Sequence, residues 1–338
     1  MTGLTMKAAI YRRPGRVEVV ELDRPIAADG EALVAVDYCG ICGTDLHMMI
    51  DGWGTPDSVF GHEWSGRVVD PGGSDLAPGT RVVGRPAIEC GSCDRCRAGR
   101  ASLCRARSRA GSGPEPGAFA GFVTVDPRRL VPVPDRVGSK EAAFTEPLAV
   151  ALHAVGLSAA ARGDRVLVFG AGPIGAAILA ILRSRGIETE VVEPGRRRAA
   201  LAEELGARVR AADELAVADH PGDVVADAVD VVFDTSGARA AAEIGLSQLT
   251  SAGVLVLVGT GVDFPRLDPN RIILNELTVT GAFNYDPDGF RAALDLLAAD
   301  ALPLDLLIES DPVDLDGMVD AMRRLRAGDL PGKVMVTP

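Results

Sequence analysis

A chain of 338 residues exceeds one ordinary hydrophobic core and predicts two domains. Its 47% hydrophobic and 24% charged residues make a globular composition, and a formal net charge of −12 excludes nucleic acid as the main partner, since a binding face must neutralise phosphates. Nothing resembles a signal peptide, and apolar runs such as Ala176–Leu182 fall far short of a membrane span, so a cytoplasmic protein without a membrane partner is expected.

Met1–Thr5 reads as an extension. Met6–Tyr11, Arg16–Asp23 and Glu31–Tyr38 are β-rich runs separated by turn residues, so the chain opens as a β-meander. The stretch Asp37–Gly66 then offers Cys42, His62 and Glu63 as soft, borderline and hard donors. A catalytic zinc accepts such a mixture, taking three protein ligands and leaving one position open. Cys39 and Cys42 also form a C-x-x-C pair, which alone could be a redox motif. That motif would open a helix, whereas here the pair follows the alternating run Ala32, Val34, Val36 of a strand.

Short strands are expected at Ser65–Asp70 and Arg81–Gly84. Cys90, Cys93, Cys96 and Cys104 follow, a spacing at which four thiolates close a tetrahedron around one zinc with no open position, which makes a structural site. A nucleic-acid-binding zinc module or a redox cluster is the alternative, and the acidic chain speaks against the first. Arg95, Arg97, Arg100, Arg105, Arg107 and Arg109 run through this lobe and read as a solvated loop. Gly117–Val125 and Leu130–Pro134 return to β pattern. Ser139–Leu157 is helical, with a break or kink expected at Pro147. Glu146 beside it is, by its chemistry, either a solvent-facing carboxylate or a metal ligand.

Arg165–Phe169 enters Gly170-Ala171-Gly172-Pro173-Ile174-Gly175, the helical run Ala176–Arg185 follows, and the strand Glu188–Val192 ends in Glu193. Strand, glycine turn, helix, strand and acid together form a dinucleotide fingerprint. Gly170 permits the turn, Gly172 lets a pyrophosphate approach, Gly175 allows close helix packing, and the helix N-terminus carries the anion. Glu193 suits the ribose hydroxyls of NAD, while Arg196, Arg197 and Arg198 could instead welcome the 2′-phosphate of NADP. Ala199–Leu205, Val229–Asp234, Ala240–Leu249, Val254–Gly259 and Leu277–Phe283 continue the alternation into a parallel doubly wound sheet. Helices at Pro287–Ala298 and Leu315–Ala327 and a strand at Lys333–Thr337 close the chain.

Cys42-Gly43-Thr44-Asp45-Leu46-His47, Gly61-His62-Glu63, the four-cysteine lobe and the glycine turn together resemble the zinc-dependent medium-chain dehydrogenase/reductase superfamily, in its polyol, butanediol and threonine dehydrogenase branches. The resemblance implies an α/β protein. It would have a GroES-like catalytic domain over 1–148 with a zinc lobe at about 88–106, a Rossmann domain over 149–285, and a segment 286–338 returning to the catalytic domain. It implies two zinc ions per chain and NAD, held at Gly170, Gly172, Pro173, Ile174, Gly175, Glu193 and Arg198. Glu146 would face the catalytic zinc, with the choice between Glu63 and Glu146 as ligand left open. Thr44 and His47 match a proton relay, and Asp45 a residue orienting the imidazole of His62. The implied reaction moves hydride between NAD and a small secondary alcohol or its ketone: a polyol, cyclitol, vicinal diol or amino alcohol. A homodimer or homotetramer is implied. The alternatives are an NADPH-dependent simple alcohol or aldehyde reductase, and, from another class, a non-catalytic nucleotide-binding regulator. Gly43 stands where simple alcohol dehydrogenases carry a basic residue, and Asn284 where sorbitol-type enzymes carry an Arg.

Overall fold

A computed structural model describes residues 4–106 and 117–338. Met1–Gly3, and Arg107 and Arg109 of the arginine run, lie outside the described residues. The chain divides into two units, one formed by Met1–Glu146 with Asp286–Asp300 and Ile308–Pro338, the other by Pro147–Tyr285 with Ala301–Leu307.

The first unit is β-rich. Its early elements are β1 (Thr5–Arg13), β2 (Arg16–Asp23), β3 (Ala32–Gly40), α1 (Gly43–Met49), β4 (Ser58–Val59), β5 (Glu63–Asp70), β6 (Arg81–Gly84), α2 (Asp94–Arg97), β7 (Phe122–Val125), β8 (Leu130–Pro132) and α3 (Ser139–Ala142). β1 joins β2 and β4 in one antiparallel sheet. In the other, β3, β5, β6 and β8 lie side by side with β7 also on β3. Both sheets turn apolar faces inward, and Val34, Trp64, Val82, Phe119 and Val123 sit in one buried cluster.

Two sequence expectations change here. The C-x-x-C pair does meet a helix, because Cys42 is the N-cap of α1, with the Asp45 side chain returning to the Cys42 amide. A capping Asp at the third helical position starts a helix even within a glycine-flanked loop. The redox reading fails for another reason: Cys39 is wholly buried, and burial first, then the charges of Asp45 and Glu63, push its thiol well above the ordinary range. The break near Pro147 falls earlier than expected, between α3 and α4 (Thr145–Ser158). Pro147 sits in the first turn of α4, where its missing N–H would have had no intrahelical partner.

The second unit contains β9 (Val166–Phe169), α5 (Pro173–Ser184), β10 (Thr189–Val192), α6 (Arg196–Glu204), β11 (Arg208–Arg210), β12 (Val229–Asp234), α7 (Arg239–Ser247), β13 (Leu249–Leu257), α8 (Pro269–Leu274) and β14 (Thr278–Gly281). Its six strands are all parallel, in the order β11-β10-β9-β12-β13-β14. Strand order reverses at β9, and such a reversal opens a crevice beyond the strand's C-terminal end. Leu167, Phe169, Val232, Leu249 and Leu255 fill its core, as strands covered on both faces require.

The chain closes with α9 (Pro287–Ala298), α10 (Leu304–Leu307), β15 (Val313–Asp314), α11 (Met318–Ala327) and β16 (Met335–Thr337). β16 pairs antiparallel with β3 and extends the larger sheet of the first unit. No described helix is long and apolar enough to cross a membrane.

Candidate active site

The register of β3 on β5 sets Gly40 opposite Glu63, so the end of one strand and the start of the next converge. Gly61 makes the approach possible. At φ +99° it adopts a conformation costly for other residues, and a Cβ there would stand 2.7 Å from Cys39 Sγ and 2.9 Å from the Phe119 amide. Cys42 Sγ, a ring nitrogen of His62 and a carboxylate oxygen of Glu63 thereby lie within 4.8 Å of one another.

Asp45 is fully buried behind this group; its Oδ2 accepts the Cys42 amide at 3.0 Å. Its Oδ1 faces His62 Nδ1 at 3.7 Å, too long for a hydrogen bond, and has no hydrogen-bond partner. In this geometry Asp45 acts on the imidazole through charge. Burial alone would discharge the His62 ring, but Cys42 and Asp45, with Glu146 adding, push its pKa well above the usual imidazole value. An orphaned buried acceptor beside an imidazole, facing a thiol and a carboxylate, fits a positive ion held at the cluster. The donor set suits zinc.

Glu63 carries a partner that the sequence did not announce. Lys333 Nζ donates to its two carboxylate oxygens at 2.8 and 2.6 Å and to the Ile41 carbonyl at 2.9 Å. The side chains of Lys333 and Glu63 are 2% and 1% exposed. Burial disfavours the ammonium, yet Glu63 and Cys42 outweigh it and raise the Lys333 pKa. Glu146 does not join the group of three. It is 6% exposed in the first turn of α4, and its negative charge raises the pKa values of both His62 and Lys333.

Thr44 opens α1 with its Oγ1 3.6 Å from Cys42 Sγ. His47 follows in the last turn of α1. The second cysteine group is also assembled: the thiol atoms of Cys90, Cys93, Cys96 and Cys104 lie within 4.8 Å of one another, two pairs of them at 3.6 Å. A tetrahedron with metal–sulfur bonds of about 2.3 Å has sulfur–sulfur edges of about 3.8 Å, so the spacing fits one ion. Ser92 and nearby amides bring the Cys90 thiol down to about 6, whereas burial pushes Cys96 up to about 12. Arg95, Arg97, Arg100 and Arg105 are exposed around it.

In the second unit the glycine turn leaves the switch-point strand β9. A Cβ on Gly175 would come 2.1 Å from the Gly170 carbonyl, so α5 packs as closely as the fingerprint requires. Gly172 caps α5, Pro173 and Ile174 begin it, and a Cβ at Gly172 would lie 3.9 Å from the guanidinium carbon of Arg198. Arg196 and Arg197 are exposed in the first turn of α6 while Arg198 is half-buried, so the three arginines do not act as one group. Glu193 is more constrained than the sequence suggested, its two oxygens each accepting a backbone amide, from Ala171 and Gly195, at 2.8 Å.

Comparison with known proteins gives the arrangement its family. The alcohol dehydrogenase GroES-like domain matches residues 28–135 and the zinc-binding dehydrogenase domain residues 173–299. The chain belongs to the zinc-dependent medium-chain dehydrogenase/reductase family. It is 33% identical over 311 residues, 90% of this chain and 91% of the relative, to 2-dehydro-3-deoxy-L-galactonate 5-dehydrogenase of Pseudoalteromonas atlantica. A solved 2R,3R-butanediol dehydrogenase from Bacillus subtilis is 30% identical with a TM-score of 0.86, covering 98% of this chain and 99% of that one. A zinc-binding dehydrogenase from Sinorhizobium meliloti 1021 bound to NADP is also 30% identical, with a TM-score of 0.85 over 99% of this chain and all (100%) of that one.

For a zinc-dependent dehydrogenase the first unit is thus the GroES-like part and the second the nucleotide-binding part. Lys333 is the residue that sequence reasoning missed. It lies 270 positions from Glu63, and its only sequence signal is a lone Lys at the start of an apolar run, Lys333–Val336.

Proposed function

We propose that this chain oxidises, or in reverse forms, a secondary alcohol bearing a second polar group, with NAD as hydride carrier. The substrate is a polyol, cyclitol, vicinal diol or amino alcohol. The observation that carries the reading is a thiol–imidazole pair, Cys42 and His62, set among buried carboxylates in place of a second thiol. The zinc ligands would be Cys42, His62 and a carboxylate, and the hold of Lys333 on both oxygens of Glu63 favours Glu146 for that third place. The four cysteines of the lobe would hold a second, structural zinc.

A zinc held there would supply Lewis-acid activation of the substrate hydroxyl, and a bound nicotinamide would supply the hydride acceptor. The residues do the rest. Asp45 fixes the N-terminus of α1, and with it Cys42 and Thr44. Thr44 passes the substrate proton onward through its hydroxyl, and His47, a half-buried imidazole, takes it toward solvent. The glycine turn and the α5 N-terminus receive the pyrophosphate, and Arg198 stands over Gly172 for the same anion. Glu193, negative and pinned by two amides at the end of β10, favours NAD by repelling a 2′-phosphate.

The surrounding carboxylates make the metal's environment harder than two thiols would, which suits a substrate with a second oxygen or nitrogen donor. The names of the relatives point the same way. The test is a panel of alcohols with NAD⁺: kcat/KM for vicinal diols, polyols and amino alcohols should exceed that for monofunctional secondary alcohols of similar size by at least about 100-fold. Equal rates would refute the polyol reading and favour a simple alcohol dehydrogenase.

A further inference from the structure

The relay described above ends at His47, and the structure shows what grips that ring. Nδ1 lies 2.9 Å from Asp51 Oδ2, one helical turn on in sequence. Trp53 stacks on the ring face, with centroids 4.5 Å apart and planes 15° apart. The second Asp51 oxygen, Oδ1, accepts from Arg326 Nη1 at 2.6 Å, reaching in from the last turn of α11. His47, Asp51 and Arg326 therefore form a line of three charged or chargeable groups in which Asp51 spends one oxygen on each neighbour.

An imidazole has two chemically distinct nitrogens, and the hydrogen bond at one decides which task is left to the other. With Nδ1 committed to a carboxylate, Nε2 is the nitrogen free to accept a proton. The carboxylate also favours the charged ring that results, as does its place at the C-terminal end of α1. The hydrogen bond from His47, against burial and together with Arg326, holds the Asp51 carboxyl below its usual range, so Asp51 stays ionised and does not take the proton itself.

We propose that Asp51, clamped by Arg326, is the positioning residue of the proton relay: it turns His47 so that Nε2 faces the incoming proton and steadies the ring once charged. This inference rests on His47 being the relay base. The proton arrives at Nε2, the Nδ1–H remains on Asp51, and the same proton leaves Nε2 for solvent, so no net charge accumulates over a cycle. The charged groups at the ring are Asp51 and, through it, Arg326. These act in opposite senses, since removing Asp51 disfavours the charged ring, whereas removing Arg326 leaves Asp51 less neutralised and favours it.

That opposition supplies a test that a merely structural role would not pass. The pH profile of kcat/KM for alcohol oxidation is measured for the zinc-loaded wild type and for Asp51→Asn, Arg326→Gln and His47→Gln. In Asp51→Asn the acid limb should move to lower pH by about half a unit, the scale of a half-exposed ion pair, with a plateau about threefold lower. In Arg326→Gln it should move to higher pH by a similar amount. His47→Gln should lose the limb, and added imidazole should restore turnover. If His47→Gln behaves so but the other two variants leave the limb unmoved, or shift it the same way, the proposal fails while the relay stands. If His47→Gln keeps the wild-type profile, the relay reading falls and takes the proposal with it.

Discussion

Replacing Lys333 by Met removes the cation from a buried pair and leaves Glu63 with a charge and no donor. Lys333 makes three hydrogen bonds, two to Glu63 and one to the Ile41 carbonyl, and both side chains are almost wholly enclosed. Breaking a buried pair from one side costs about 3–5 kcal/mol, because the surviving charge keeps its desolvation penalty. For a unit of this size each kcal/mol lowers Tm by about 2–4 °C, so Lys333→Met should melt roughly 6–20 °C below the wild type. The comparison is made by urea titration after the labile metal has been removed by chelation, so that a cation at the Cys42–His62 cluster cannot take over the role of Lys333. Adding Glu63→Gln should recover at least about 1.5 kcal/mol, since the stranded charge goes with it. A loss below about 1 kcal/mol in the single variant, or no recovery in the double, would refute the claim that the pair is a coupled buried charge.

Three further outcomes follow from the geometry. Gly61→Ala combines a positive-φ strain with a Cβ 2.7 Å from Cys39 Sγ, and should cost about 2–4 kcal/mol in urea unfolding. Cys42→Ser should lose one of two zinc ions and the activity, while its Tm stays within about 5 °C of the wild type, because Cys42 is at the edge of the core and the four-cysteine lobe is untouched. The wild type should show a higher kcat/KM with NAD⁺ than with NADP⁺, and Glu193→Ala should narrow that ratio by about tenfold or more; a wild-type preference for NADP⁺ would overturn the cofactor assignment.

What the sequence made legible was the local chemistry. The parallel sheet could be read because each βαβ unit repeats strand, turn and helix within a short stretch, and Gly170, Gly172 and Gly175 mark one such turn. The four-cysteine cluster and the convergence of Cys42 with His62 and Glu63 were readable because ligand spacing survives folding. Long-range pairing was not readable. Nothing near Lys333 states that its ammonium ends on Glu63, or that Arg326 reaches Asp51, because both contacts depend on β16 and α11 packing against the opening strands of the first unit. The helix opened by Cys42 was missed for a local reason. Its cap is a cysteine, outside the usual capping residues, and the signal lies in Asp45 reaching back to the cap amide. The break before α4 was misplaced because a proline in a first helical turn initiates as readily as it breaks.

The central claim is metal-dependent hydride transfer at Cys42 and His62, supported by a second, closed zinc site. Its most direct test follows zinc content, NADH formation and folding together during a chelator titration of freshly purified protein. Two zinc ions per chain are expected at the start. One should leave early with activity falling in proportion, the fold intact by circular dichroism, and full activity regained on adding zinc. The second should leave only as the protein unfolds. Undiminished NADH formation after loss of the labile zinc, or a starting content of one zinc in fully folded protein, would contradict the account.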